Sequence, residues 1–176
     1  TMMNKVFEII EAKKIFNLDY DKLDILVHPT SYVHAIIKFK DGMIKIIAHD
    51  TNMKIPIFNT LYNIKNKTIQ TNQLNVRKLN FLNFKKVDTN KFPSIKIVKK
   101  LQNKESLLET IIVLGNDELV NLFLLKKINF TDITFFLQKL INMKEIINLN
   151  PNKLTSINSI ISLKEIVRKK INKIIN

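Results

Sequence analysis

Residues 31–50 read SYVHAIIKFKDGMIKIIAHD, and the middle of that stretch decides the fold. Asp41-Gly42 lies between two runs of β-formers, which is the strongest short-range hairpin signal a sequence carries. Along the first run Val33, Ala35, Ile37 and Phe39 alternate onto one face, while His34, Ile36 and Lys38 take the other. His49 and Asp50 close the second run; as strand neighbours they point oppositely and are assigned no chemistry. Upstream, LDILVH (23–28) is a short apolar run stopped by Pro29, consistent with a buried strand. His28, at its end, reads as a histidine hydrogen-bonded to backbone.

Working outward, TMMNKVFEIIEAKKIF (1–16) has a helical period. With about 100° per residue and Asn4 as zero, Glu8 falls near ~40° and Glu11 near ~−20°, so the three share one face. Lys5 flanks that face, one turn from Glu8. Met2, Val6, Ile9 and Phe16 form the opposite, apolar stripe, interrupted only by Lys13. An amide, an ammonium and two carboxylates thus gather on one side of an anchored helix. Periodicity alone leaves two readings open, a site or a solvated face. Asn17-Leu18-Asp19 ends the pattern.

Downstream, 64–94 is polar, weakly periodic and closed by Phe92-Pro93, which reads as a linker with a strand or two. Helical patterns follow at Ile95–Lys100, Ser106–Lys127, Thr131–Leu149 and Ser162–Ile175, with a loop around Pro151 that Ile147, Leu154 and Ile157 flank or enter. In the last pattern Leu163, Ile166, Val167, Ile171 and Ile174 form the inward stripe. Asp117 and Glu118 are expected near the start of a helix, where its dipole favours carboxylates. This half reads as a small helical bundle.

The chain has 176 residues, 45% of them apolar, a net charge of +14 and no cysteine. That length suits one domain or two small ones. The positive charge comes from lysines scattered among Asn and Ile, the mixture AT-rich codons supply, and aromatics alternate with aliphatics without forming a stacking platform. Direct nucleic-acid binding is therefore not expected. Without Cys there is no thiol nucleophile and no thiolate metal site. No apolar run reaches the ~18–20 residues of a membrane helix, and no leader is visible. The first residue is not Met, so the expectation is a trimmed initiator or the remainder of a longer chain.

TMMNK…E..EA…F resembles the segment that follows the active-site loop of 1-deoxyxylulose-5-phosphate reductoisomerases. The likeness runs on through LDILVHPTSYVHAIIKFKDGMIKIIAHDTNMKIPI, with its His-Pro-x-Ser, a second His six residues on, the Asp-Gly hairpin and Pro-Ile. KFPSIKI is similar to the family's aromatic-Pro-Cys-Leu-Lys-Leu stretch, LGNDELVNLFLLKKINFTDI to its Asn-Ala-Ala-Asn-Glu helix and Phe-Thr-Asp-Ile, and LKEIVRKKI to its closing helix. The resemblance implies an α+β chain: part of an α/β catalytic domain with a β-hairpin, followed by a small helical bundle. Its divisions would be 1–62, the end of the catalytic domain; 63–95, a linker; and 96–176, a helical domain.

The resemblance also implies chemistry: NADPH- and metal-dependent conversion of 1-deoxyxylulose 5-phosphate to 2-methylerythritol 4-phosphate. Asn4, Lys5 and Glu8 would bind the phosphorylated sugar, with Lys5 and Glu8 in the catalytic machinery. Glu8 would also be a ligand to Mg²⁺ or Mn²⁺, hard cations that take oxygen donors. Glu11, His34 and Met53 would stand behind the site or in its wall. The family's dinucleotide-binding domain, its Asp-Ser-Glu carboxylates and its His-Pro-Asn-Trp lid precede the matched region, and two Gly cannot make a Gly-x-Gly-x-x-Gly turn. Thr51-Asn52-Met53 stands where the family has Pro-Asp-Met, and Leu114-Gly115-Asn116-Asp117 blurs the Asn-Ala-Ala-Asn-Glu motif. NADPH would be bound by a domain absent from this chain, which alone should be inactive. Three further readings stay open: half of a split enzyme completed by a separate amino-terminal polypeptide, an inactive remnant, or a basic binding module. Family members are homodimers, and the expected compartment is a bacterial cytoplasm, with a plastid-type organelle as alternative.

Overall fold

The computed structural model describes residues 2–62, 67–104, 106–149 and 156–175. The expected loop residues Pro151 and Leu154, and the first residues of the expected linker, 63–66, lie outside these. The chain divides into two compact units, Thr1–Ile25 with Val87–Asn176, and Leu26–Lys86. That partition cuts across the 1–62, 63–95 and 96–176 divisions, and the cause is apolar surface on the first helix.

This helix, α1 (Met3–Phe16), turns Met3, Val6 and Ile9 inward. Its cover is the 3₁₀ segment Pro93–Lys100, with Ile95 and Ile97 buried, so the start of the chain joins its end. Fully burying such side chains contributes about 1.5–3 kcal/mol each. Phe16, expected on the inward stripe, is exposed together with Ile15. Both lie in the last turn, where Asn17 takes a left-handed conformation and ends the helix.

The same unit continues with α4 (Leu108–Leu124), α5 (Phe130–Ile141), the short α6 (Lys144–Ile147) and α7 (Ile157–Ile175). The pattern read as one helix over 131–149 is thus two, and the final helix begins five residues before Ser162. Helices α4, α5 and α7 pack on one another around Ile112, Leu119, Leu137, Leu140, Val167 and Ile171. Gly115 permits the closest approach: a Cβ there would stand 2.7 Å from Leu140 Cδ2 and 3.0 Å from Leu137 Cδ1. Asp117 and Glu118 lie in the middle of α4, not at its start, because the helix already begins at Leu108. Glu118 pairs instead with Arg168 of α7 at 3.4 Å. Gln138 of α5 donates to the Pro93 carbonyl at 2.9 Å, tying the bundle to the segment that carries α1.

The second unit holds the hairpin, β2 (Val33–Lys38) with β3 (Ile44–Ala48), antiparallel with Lys38 opposite Ile44 and a register irregularity between Val33 and Ala35. Gly42 closes the turn at φ 89°, a conformation L side chains rarely adopt, and the Asp41 carboxylate accepts from Met43 N–H at 2.9 Å. The strand expected over 23–28 is only β1 (Leu26–Val27), paired antiparallel with β4 (Lys85–Lys86). His28 Nδ1 contacts the Asn83 carbonyl at 3.1 Å, the backbone bond expected of it. Two short helices complete the unit, α2 (Lys54–Leu61) and α3 (Val76–Asn80). No described helix is long and apolar enough to cross a membrane.

Candidate functional site

The helix α1 buries one side in the bundle unit and leaves the other to solvent. Asn4, Lys5, Glu8 and Glu11 are all exposed on it. Lys5 Nζ reaches both oxygens of Glu8, at 2.9 Å and 2.7 Å. A pair this exposed, with side chains 48% and 53% accessible, adds little to stability. What the pair does instead is hold an ammonium over a carboxylate on a rigid element. Glu8 offers hard oxygen donors of the kind Mg²⁺ and Mn²⁺ take. The donor type fits and the number does not: among the described residues there is no group of three His, Cys, Asp or Glu able to hold a metal.

His34 and Met53 belong to the other unit. Met53 is 68% exposed at the start of α2. His34 lies flat against His49, ring centroids 3.6 Å apart and planes 9° from parallel. Its Nε2 faces the His49 carbonyl at 3.2 Å, and His49 Nδ1 faces the Asp50 carbonyl at 2.7 Å. A carbonyl only accepts, so those two ring nitrogens carry the protons. Ring lone pairs lie in the ring plane, so a parallel stack cannot converge on one metal ion.

Sequence reasoning passed over His49 and Asp50, although the hairpin pointed to one of them. The hairpin returns the chain so that Val33 pairs with Ala48, and at the register irregularity beside that pair His34 meets His49. Asp50 accepts from Lys78 Nζ at 2.9 Å and from Asn72 Nδ2 at 3.0 Å. Those two bonds, Lys78's first, hold its carboxyl below the usual range. Lys78 also sits 5.2 Å from the ring centroid of Tyr32. A polar cavity of about 320 Å³ opens beside Asp50, lined by Asn52, Gln70, Thr71 and Asn72. Neither of the chain's glycines is available to a phosphate-binding turn. Gly42 closes the hairpin, and Gly115 is packed inside the bundle.

The family model for the DXP reductoisomerase C-terminal domain matches residues 49–170. The chain belongs to the DXP reductoisomerase family. Among its relatives, the 1-deoxy-D-xylulose 5-phosphate reductoisomerase of Pelagibacter ubique is 52% identical over 171 residues, which is 97% of this chain and 44% of that protein. The reductoisomerase of Aquifex aeolicus is 34% identical over 139 residues, 79% of this chain and 37% of that protein. The solved reductoisomerase of Zymomonas mobilis in complex with NADPH superposes with a TM-score of 0.84 at 27% identity, covering 99% of this chain and 45% of that one. A DOX-P reductoisomerase in complex with NADPH, fosmidomycin and magnesium gives 0.83 at 26% identity, covering 99% and 44%. The α+β architecture, small antiparallel hairpins followed by helices, is that of the carboxy-terminal part of DXP reductoisomerases. The chain spans less than half the length of the curated reductoisomerases it matches.

Proposed function

We propose that the chain is the carboxy-terminal part of an NADPH- and divalent-metal-dependent reductoisomerase, converting 1-deoxy-D-xylulose 5-phosphate to 2-C-methyl-D-erythritol 4-phosphate for isoprenoid synthesis in the bacterial cytoplasm. The observation that carries this reading is the exposed face of α1, where Asn4, Lys5 and Glu8 stand together on a helix anchored from behind. Glu8 is the one metal ligand supplied here, and the other carboxylates come from polypeptide that precedes the matched region. When bound, the metal polarises the substrate's oxygens as a Lewis acid. Lys5 contacts both Glu8 oxygens; with Glu8 holding a divalent cation, its ammonium would serve the phosphate or a hydroxyl of the sugar. Asn4, a donor and an acceptor at once, orients a neighbouring hydroxyl. Glu11 stands one turn on from Glu8 on the same exposed face. The complexes of the solved relatives with NADPH and with magnesium support the choice of cofactors.

The chain alone is inactive on this reading, since it has one metal carboxylate and no dinucleotide turn. The test is a fusion of this chain behind the amino-terminal portion of the Pelagibacter ubique relative. With Mn²⁺, substrate and NADPH it should oxidise NADPH, and Glu8→Gln should lower the rate by at least ~100-fold, since a positioned charge at the reacting centre is worth several kcal/mol. An active fusion indifferent to Glu8→Gln removes the site assignment. A second reading, one half of a split enzyme, is favoured by the apolar side chains left exposed on β2 and β3. In that case the same two pieces, mixed as separate polypeptides, should also recover activity.

A further inference from the structure

The far end of α1 is held differently from its middle. Met3, Val6 and Ile9 are fixed by apolar packing, whose driving force is non-directional. At the last turn the contacts are directional and converge on one residue of α4. The Tyr20 hydroxyl donates to Glu109 Oε1 at 2.5 Å, and Lys14 Nζ pairs with Glu109 Oε2 at 2.8 Å. The Glu109 side chain is only 12% accessible. Each of its oxygens is therefore taken by a donor from α1 or from the turn just after it. Asn103 adds a second clasp: its side-chain oxygen accepts from Tyr20 N–H at 2.8 Å, and its carbonyl accepts from Lys13 Nζ at 3.3 Å. Lys13 Nζ also lies 5.0 Å from the Tyr20 ring centroid. Burial, then Glu109 itself, holds the Tyr20 hydroxyl far above the ordinary phenol range, so it stays a donor at any working pH.

We infer that Glu109 is a positioning residue for the reaction: its two-handed grip on Tyr20 and Lys14 fixes where α1 sits along its axis, and so where Lys5 and Glu8 are presented. This rests on the reading of α1 as the metal- and substrate-binding helix. Glu8 is six residues from Lys14, about 9 Å of helix rise, and a helix this short moves as a rod, so a slip at Lys14 reaches Glu8 undiminished. Misplacement of about 1 Å at a reacting centre can cost on the order of a hundredfold in rate.

The experiment uses the fusion described above and reads Mn²⁺ affinity by calorimetry beside kcat, KM for NADPH and thermal midpoint. Glu109→Ala should weaken Mn²⁺ binding by ~10-fold, the scale of lost outer support around a metal ligand, and lower kcat by a similar factor. KM for NADPH should not move. Glu109→Gln and Tyr20→Phe should fall between parent and Glu109→Ala, because each removes one hand of the grip. Tyr20→Phe keeps the ring packing and carries the test should Glu109→Ala fail to fold. A lowered thermal midpoint with Mn²⁺ affinity and kcat within twofold of the parent would overturn the inference and leave the function standing. Unchanged Mn²⁺ affinity in Glu8→Gln would instead overturn the reading on which it rests.

Discussion

The two units of this chain treat their apolar residues in opposite ways. The described residues of the first, Thr1–Ile25 with Val87–Asn176, bury twenty apolar side chains in a single cluster. In the second, Leu26–Lys86, Tyr32 is the one described apolar residue that is buried. Ile36, Ile37, Ile44, Ile46 and Ile47 of the hairpin are each at least 39% exposed. An isolated two-stranded ribbon is marginal in water, and one that shows isoleucine on both faces buries too little to offset its ordering entropy. The first unit is a finished core. The second leaves most of its apolar side chains in solvent.

Truncation tests this contrast most strongly. Leu137 and Leu140 are wholly buried, so replacing either by Ala should cost about 2–5 kcal/mol in urea unfolding. In the chain alone Ile44→Ala or Ile46→Ala should cost well under about 1 kcal/mol, as exposed substitutions do. Equal costs at the two places would end the distinction. Amide exchange sharpens it: joining the amino-terminal portion of a relative should slow exchange across β2 and β3 by ~100-fold, through local openings made rarer. Exchange in α4 and α5 should change little.

A smaller effect is expected inside the finished core. Gly115→Ala adds a methyl 2.7 Å from Leu140 Cδ2, so Leu140 must turn or the helices must part. Overpacking of about 1–3 kcal/mol should outweigh the roughly 1 kcal/mol that Ala gains over Gly in a helix. A net loss of stability is expected, and a gain would mean the bundle is looser than its contacts suggest. The smallest effect belongs to the second unit and to acid. Asp50 has a lowered pKa, so its bonds to Lys78 and Asn72 contribute above the usual carboxylate range and are lost as pH falls through the folded value. Amide protection factors around Lys78, corrected for the intrinsic rate, should fall in acid, and Asp50→Asn should remove that pH dependence.

Much of this was legible in the letters. Asp41-Gly42 announced its hairpin because φ above zero at Gly42 is a local demand. The inward stripe of α7 was legible at Leu163, Val167 and Ile171, all buried, although Ile166, expected with them, is exposed, and the polar face of α1 followed from its period. What escaped depended on partners distant in sequence. Phe16 reads like core and is exposed, because the last turn of α1 is held by polar contacts of Lys13 and Lys14 on another side. No element is read from the sequence over Lys54–Leu61, where Pro56 sits in the first turn of a helix that can hold it. Gly115 reads as motif drift, and its role emerges only from Leu137 and Leu140, more than twenty residues on. The grip of Glu109 on Tyr20 spans 89 positions, and no period or spacing reports it.

That span bears on how the chain is made. The first helix leaves the ribosome well before the 3₁₀ segment and the α4 residue that hold it, with the whole of Leu26–Lys86 synthesised in between. At ~5–20 residues per second, Met3, Val6 and Ile9 wait several seconds beside an unsettled hairpin before their lining arrives. A chaperone that shields short greasy segments at the tunnel exit would matter most in that interval, and a nascent chain stalled near residue 86 should be the form most prone to clump.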